Sequence, residues 1–185
     1  MENTYRTVDA SRISISELML PSHSNFSGKI HGGYILHLLD QIAFACASKH
    51  SKMYCVTASV DTVDFLAPIE VGELVTMKAS VNYVGNTSMV VGIRVEAENI
   101  QTGVTKHCNS SYFTMVAKDE NGSSVKVPGL ILNDKTELKR FLKAIKRNQT
   151  KQQRKQEFDH HGFSLDNYLA DLEGHKVRIE LPTDL

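Results

Sequence analysis

Residues 34–50 read YILHLLDQIAFACASKH, and the way this stretch repeats decides the fold. Leu36, Leu39, Ala43, Cys46 and Ala47 recur at intervals of three and four, the period of an α-helix. Ile35, Leu38 and Ile42 add apolar residues on the flanks. A helix apolar nearly all round is expected inside a protein. His37, Asp40 and Gln41 sit in its middle and are its anomaly.

The flanking sequence has a different period. In SRISISELML (11–20), Ile13 and Ile15 point one way and Ser14 and Ser16 the other, as in a strand. After the helix, MYCVTAS (53–59), VDTVDFL (60–66), LVTMKASVNYV (74–84), TSMVVGIRVEAEN (87–99) and VTKHCNSSYFTMVAK (104–118) read as further strands. Gly85-Asn86 and Thr102-Gly103 supply hairpin turns. One long helix among antiparallel strands predicts an α+β protein of hotdog architecture, a curled sheet wrapped round the helix. A single such sheet leaves strand edges and one helix flank uncovered, so a homodimer is expected.

Composition narrows the class. The chain has 185 residues, 41% of them apolar and 23% charged, which suits one globular domain with a tail. Lys+Arg and Asp+Glu are both 21, a balance unsuited to coating nucleic acid or an anionic membrane. No apolar run approaches the roughly 20 residues that span a bilayer. MENTYRTVDASR (1–12) has no apolar signal core. Cys46, Cys55 and Cys108 are odd in number and far apart, which predicts reduced thiols and a cytoplasmic protein. The neutral total hides a division. The hotdog domain is expected over 1–130, and 131–185 holds a basic helix and an acidic tail. Leu138, Phe141, Leu142 and Ile145 make one narrow apolar stripe on a helix with nine Lys/Arg in 135–155. Phe158, Phe163, Leu165, Tyr168, Leu169 and Leu172 are apolar anchors by which the tail is expected to dock.

Chemistry centres on Asp40. A carboxylate on a core helix costs several kcal/mol unless it is paired, hydrogen-bonded or protonated. It either caps neighbouring backbone or faces solvent at a subunit edge, or it faces a cleft as a general base. KIHGG (29–33) precedes the helix. Gly32 and Gly33 either make a tight turn or let a ligand carbonyl approach the free amides at the positive end of the helix dipole. Asn25 in the same loop is an ordinary turn residue by itself. His31 and His37 are more often structural than ligands at such positions. No HExxH or Cys/His cluster is present, so no metal is expected. There is no GxSxG elbow and no P-loop. The basic helix is either a solvated face or a partner for phosphates.

NFSGKIHGGYILHLLDQIAFACASKH (25–50), CVTASVDTVDFLAPIEVGELV (55–75) and GNTSMVVGIRVEAEN (85–99) together resemble the hotdog acyl-CoA thioesterases, over about residues 10–130. The resemblance implies a catalytic aspartate at Asp40 and a loop asparagine at Asn25, which meet across the dimer interface. It implies that the amides of Gly32 and Gly33 face the thioester carbonyl. Coenzyme A would run along Ala58, Ser59 and Val60 and along Thr87, Ser88 and Met89, with Arg147 on its phosphates. The implied reaction is hydrolysis of acyl-CoA to a carboxylic acid and CoA, with no cofactor beyond the CoA of the substrate. Asp40 would act as general base or as nucleophile. Assembly to a tetramer or hexamer of dimers is a further implication. The alternative is an acyl-CoA-binding regulator without turnover, and a hotdog dehydratase ranks third.

Overall fold

The structure is a computed structural model that describes residues 4–157 and 169–178. The strands are β1 (Tyr5–Thr7), β2 (Ile13–Leu18), β3 (Tyr54–Val60), β4 (Asp64–Phe65), β5 (Glu73–Val84), β6 (Ser88–Asn99), β7 (Thr105–Lys118) and β8 (Gly129–Ile131). The helices are α1 (Gly32–Ser51) and α2 (Lys135–Glu157), with short 3₁₀ turns between. The main sheet runs β2-β5-β6-β7-β3, with β4 beside β7. Its pairs are antiparallel. It curls round α1, so the expected hotdog fold is the one the chain adopts.

Alternation explains the sheet. Val75, Met77, Ala79 and Val81 on β5 and Val91, Ile93, Val95 and Ala97 on β6 all point inward and are buried. They meet Ile35, Leu38, Leu39, Ile42, Ala43, Cys46 and Ala47 of α1. Each aliphatic side chain so buried contributes on the order of 2 kcal/mol. Leu36 departs from the reading of the helix. It is 38% exposed, as is Phe44 at 39%, because this flank of α1 has no sheet over it. A repeat of three and four marks a stripe but not which stripe the protomer covers.

Two features lie outside the sequence reading. β1 pairs in parallel with β8, and neither is among the strands that alternation predicts. α1 also begins earlier than the apolar repeat, at Gly32. By compactness the chain divides into two units, 1–145 and 146–185. The second holds the later part of α2 and a 3₁₀ turn at Leu169–Leu172, where Leu169 and Leu172 are exposed. Phe158, Phe163, Leu165 and Tyr168 lie outside the described residues.

Candidate active site

Asp40 stands on the uncovered flank of α1. The sequence reading leaves open a backbone cap, a solvent-facing subunit edge or a desolvated cleft; in the protomer Asp40 is exposed, because nothing in the same chain roofs that flank. Its Oδ1 accepts a hydrogen bond from Thr57 Oγ1 at 2.6 Å. Hydroxyl-to-carboxylate bonds of that length are among the stronger ones. The chain brings them together by reversing after α1. Lys52 takes a left-handed conformation, φ 61°, at the helix end, and β3 runs back along the helix. Thr57 pairs with Met115 on β7, and Ser59 pairs with the adjacent Thr114, so Ala58 is the extra residue of a β-bulge. Bulges gather beside active sites, where they redirect a strand. Sequence reasoning missed Thr57. A threonine in a strand is unremarkable by composition, and only the reversal aims its hydroxyl at the helix.

Asn25 lies in the loop before α1. Its Oδ1 accepts from Ser27 N at 2.9 Å, Ser27 Oγ at 2.7 Å and Lys29 N at 3.2 Å. No hydrogen bond joins Asn25 to Asp40 within the protomer.

At the start of α1, His31 is the N-cap. Its Nδ1 accepts the Gly33 N–H at 2.9 Å. The two glycines make room for rings of the protein itself. A Cβ on Gly33 would lie 2.8 Å from the His31 ring, and one on Gly32 would lie 3.3 Å from Phe65. The first distance admits no side chain, so the cap requires glycine at 33. His37 and Gln41 share the flank of Asp40 and contact each other at 3.2 Å.

The other predicted segments converge in part. Met115 on β7 pairs with Thr57 on one side and with Met89 on the other, so 57–60 and 87–89 flank one strand at one level. Met89 is fully buried and offers only its backbone there. Arg147 belongs to the second unit. A groove of about 780 Å³ lies on the opposite, outer face of the sheet, lined in part by Arg12, Lys78, Arg94 and Arg140. Three of these four cations are ion-paired: Lys78 and Arg94 bind Glu96, and Arg12 binds Glu137. Lys78, then Arg94, holds the Glu96 carboxyl down at about 2. Among the described residues no three His, Cys, Asp or Glu side chains gather as a metal site would require.

Residues 27–104 match the thioesterase superfamily profile. Protein VdlD of Helicobacter pylori is 44% identical over 146 residues, 79% of this chain and 83% of that protein. A solved apo-hexameric acyl-CoA thioesterase is 35% identical, with a TM-score of 0.80 over 82% of this chain and 97% of its own. The chain belongs to the thioesterase superfamily. This thioesterase is also similar to the acyl-CoA hydrolase of Staphylococcus aureus, solved with butyryl coenzyme A and coenzyme A. The two are 30% identical, with a TM-score of 0.79 over 90% of this chain and 99% of that one. Structures of that hydrolase include variants with alanine in place of an aspartate, an asparagine and a threonine. Those positions run asparagine, aspartate, threonine at intervals of 15 and 17 residues, the same intervals that separate Asn25, Asp40 and Thr57.

Proposed function

We propose that this thioesterase hydrolyses acyl-CoA, with Asp40 as general base or nucleophile and Asn25 of the partner subunit holding the water or the thioester carbonyl. The observation that carries the reading is the Thr57–Asp40 hydrogen bond on an uncovered helix flank. With Oδ1 held by Thr57, Oδ2 is left to face a reactant. In the base route, water attacks the carbonyl carbon as Asp40 takes its proton. The carbon–sulfur bond then breaks, and the departing CoA thiolate receives that proton. In the nucleophilic route the carboxylate attacks the carbonyl carbon and expels CoA thiolate; water then opens the resulting anhydride, which releases the acid, restores the Asp40 carboxylate and supplies the proton that the thiolate takes up.

The carbonyl meets the N-terminus of α1, where backbone amides stabilise negative charge developing on oxygen. For the Gly33 amide to serve, the carbonyl oxygen replaces His31 Nδ1 as its acceptor, at a cost of about 1 kcal/mol for the lost cap. Coenzyme A follows the bulged strand at Ala58, Ser59 and Val60 and the hairpin at Thr87, Ser88 and Met89. Its phosphates reach Arg147. The chain works as a homo-oligomer. The open flank of α1, the edge strand β3 and the hexameric relative support this.

The test is complementation. Asn25→Ala and Asp40→Asn homodimers are each inactive toward a panel of acetyl-, butyryl- and palmitoyl-CoA, followed by free thiol. Mixed after unfolding and refolding together, they regain part of the activity, since each mixed dimer keeps one intact site. No thiol release from the unmodified protein on any of the three would leave a binding protein without turnover. No recovery on mixing would place Asn25 and Asp40 in one subunit.

A further inference from the structure

Asn25 sits in a bracket that leaves it little freedom. Its backbone N–H donates to the Lys29 carbonyl at 2.7 Å, and its own carbonyl accepts from Gly28 N at 3.0 Å. Its side-chain Oδ1 takes three donors, two of which are the backbone amides of Ser27 and Lys29. Backbone amides only donate, so the oxygen of this side chain is the atom turned into the loop. The amide that remains can only donate. Asn25 is thus set to hold an oxygen, never to take a proton.

Lys29 closes this bracket at three points. Its carbonyl and its N–H both bind Asn25, and its ammonium binds both carboxylate oxygens of Glu70, at 2.5 and 2.7 Å. Lys29 and Glu70 also form an isolated antiparallel bridge, and Ile30 N donates to the Ile69 carbonyl at 2.9 Å. Glu70 is itself held from behind. Its N–H donates to Glu73 Oε2 at 2.8 Å, and Glu73 pairs with Lys106 of β7 at 2.8 Å. A line of contacts therefore runs from the main sheet through Glu73 and Glu70 to Lys29 and so to the Asn25 amide. We propose that Lys29 and Glu70 are a positioning pair that aims the Asn25 amide at the substrate oxygen. This rests on the catalytic reading of Asn25 above. Neither residue touches the reacting atoms, and Lys29 and Glu70 are each more than two-fifths exposed, so the fold does not depend on them.

The pair is tested by Glu70→Gln and Lys29→Met, each made in the full chain beside Asn25→Ala, with butyryl-CoA as the probe. Each positioning variant should lose about 5- to 20-fold in kcat, the scale of misplacing a catalytic contact by a fraction of an ångström. KM should stay within twofold, and the melting temperature should stay near that of the unmodified protein. The reversed pair, Lys29→Glu with Glu70→Lys, should recover most of the loss. A merely structural pair would move the melting temperature and leave kcat of the folded fraction unchanged. Unchanged kcat in Glu70→Gln while Asn25→Ala is crippled overturns the positioning role alone. Full activity in Asn25→Ala overturns this proposal and the catalytic reading of Asn25 together. Failure of the reversed pair to exceed either single variant also overturns it, since the ion pair would then not be what aims the loop.

Discussion

Asp40 and His50 lie on one helix ten residues apart and meet opposite circumstances. His50 is fully buried, and its Nε2 is spent on the Pro128 carbonyl at 3.1 Å. The same residue's carbonyl takes the Arg6 guanidinium at 2.9 Å. These two contacts tie the end of α1 to segments before β2 and before β8 of the same chain, while His50 Nδ1 is buried without a hydrogen-bond partner among the described residues. Asp40 is exposed, and its one partner, Thr57, leaves half of the carboxylate open. A polar group that is buried with its contacts assigned to structure stabilises a fold. A polar group kept accessible on the uncovered flank of that helix remains available to a reactant.

The comparison breaks most directly at Asp40. Asp40→Asn should leave the melting temperature unchanged and lower kcat by at least ~10²-fold, the scale of removing a general base or nucleophile. A folded variant with the kcat of the unmodified protein would reduce Asp40 to a surface residue. Thr57 comes next. Thr57→Val removes the hydroxyl while keeping the branched shape, and kcat should fall about tenfold, the scale of one hydrogen bond to a charged group. Thr57→Ser should retain most of the activity. Equal loss in both variants would mean that β3 packing, not the hydroxyl, matters.

These two residues also show what the sequence made legible. Asp40 was visible as an acid breaking an apolar repeat, and the β5–β6–β7 meander was visible as strict alternation between marked turns. Thr57 was not visible, because its role comes from a reversal at Lys52 and a bulge at Ala58, both set by backbone conformation and not by residue type. Leu36 was assigned to the core because periodicity gives a stripe without saying which neighbour covers it. For Gly33 residue type allows a tight entry turn or an amide open to a ligand; in the protomer the His31 ring accepts that amide. That contact joins residues two apart through a side-chain rotamer, which no pattern of residue types encodes.

His50 sharpens the comparison from the structural side. Burial, more than the nearby Arg6, pushes its pKa below the ordinary 6.5, while the Pro128 carbonyl opposes the shift. The folded chain thus keeps His50 neutral where the unfolded chain takes up a proton. The unfolded state binds more protons, so stability is fully present above about 6.5 and is lost as pH falls below it. One proton gives a slope of at most about 1.4 kcal/mol per pH unit. His50→Gln keeps a donor for Pro128 and removes the titration. Its melting temperature should therefore fall less between pH 6.5 and 5 than that of the unmodified protein. Parallel curves would show that other groups govern the acid limb.

The smallest expected effect belongs to Arg147, on the basic stretch of α2. Residues 135–155 carry nine Lys/Arg and one acid, Glu137, which binds Arg12. A helix so charged attracts anions, and the 3′-phosphate and pyrophosphate of coenzyme A carry the complementary charge. Contacts of this kind are exposed and screened, often worth less than ~1 kcal/mol each. Arg147→Ala should therefore raise KM only a few-fold, and only at low salt, where the Debye length is longest. Its kcat should stay put, since a phosphate contact contributes equally to ground state and transition state. Increasing ionic strength should raise KM of the unmodified protein toward that of the variant until the two curves meet. If the KM values coincide from the lowest salt upward, the charge on this helix serves solvation, and coenzyme A finds its phosphate partners elsewhere.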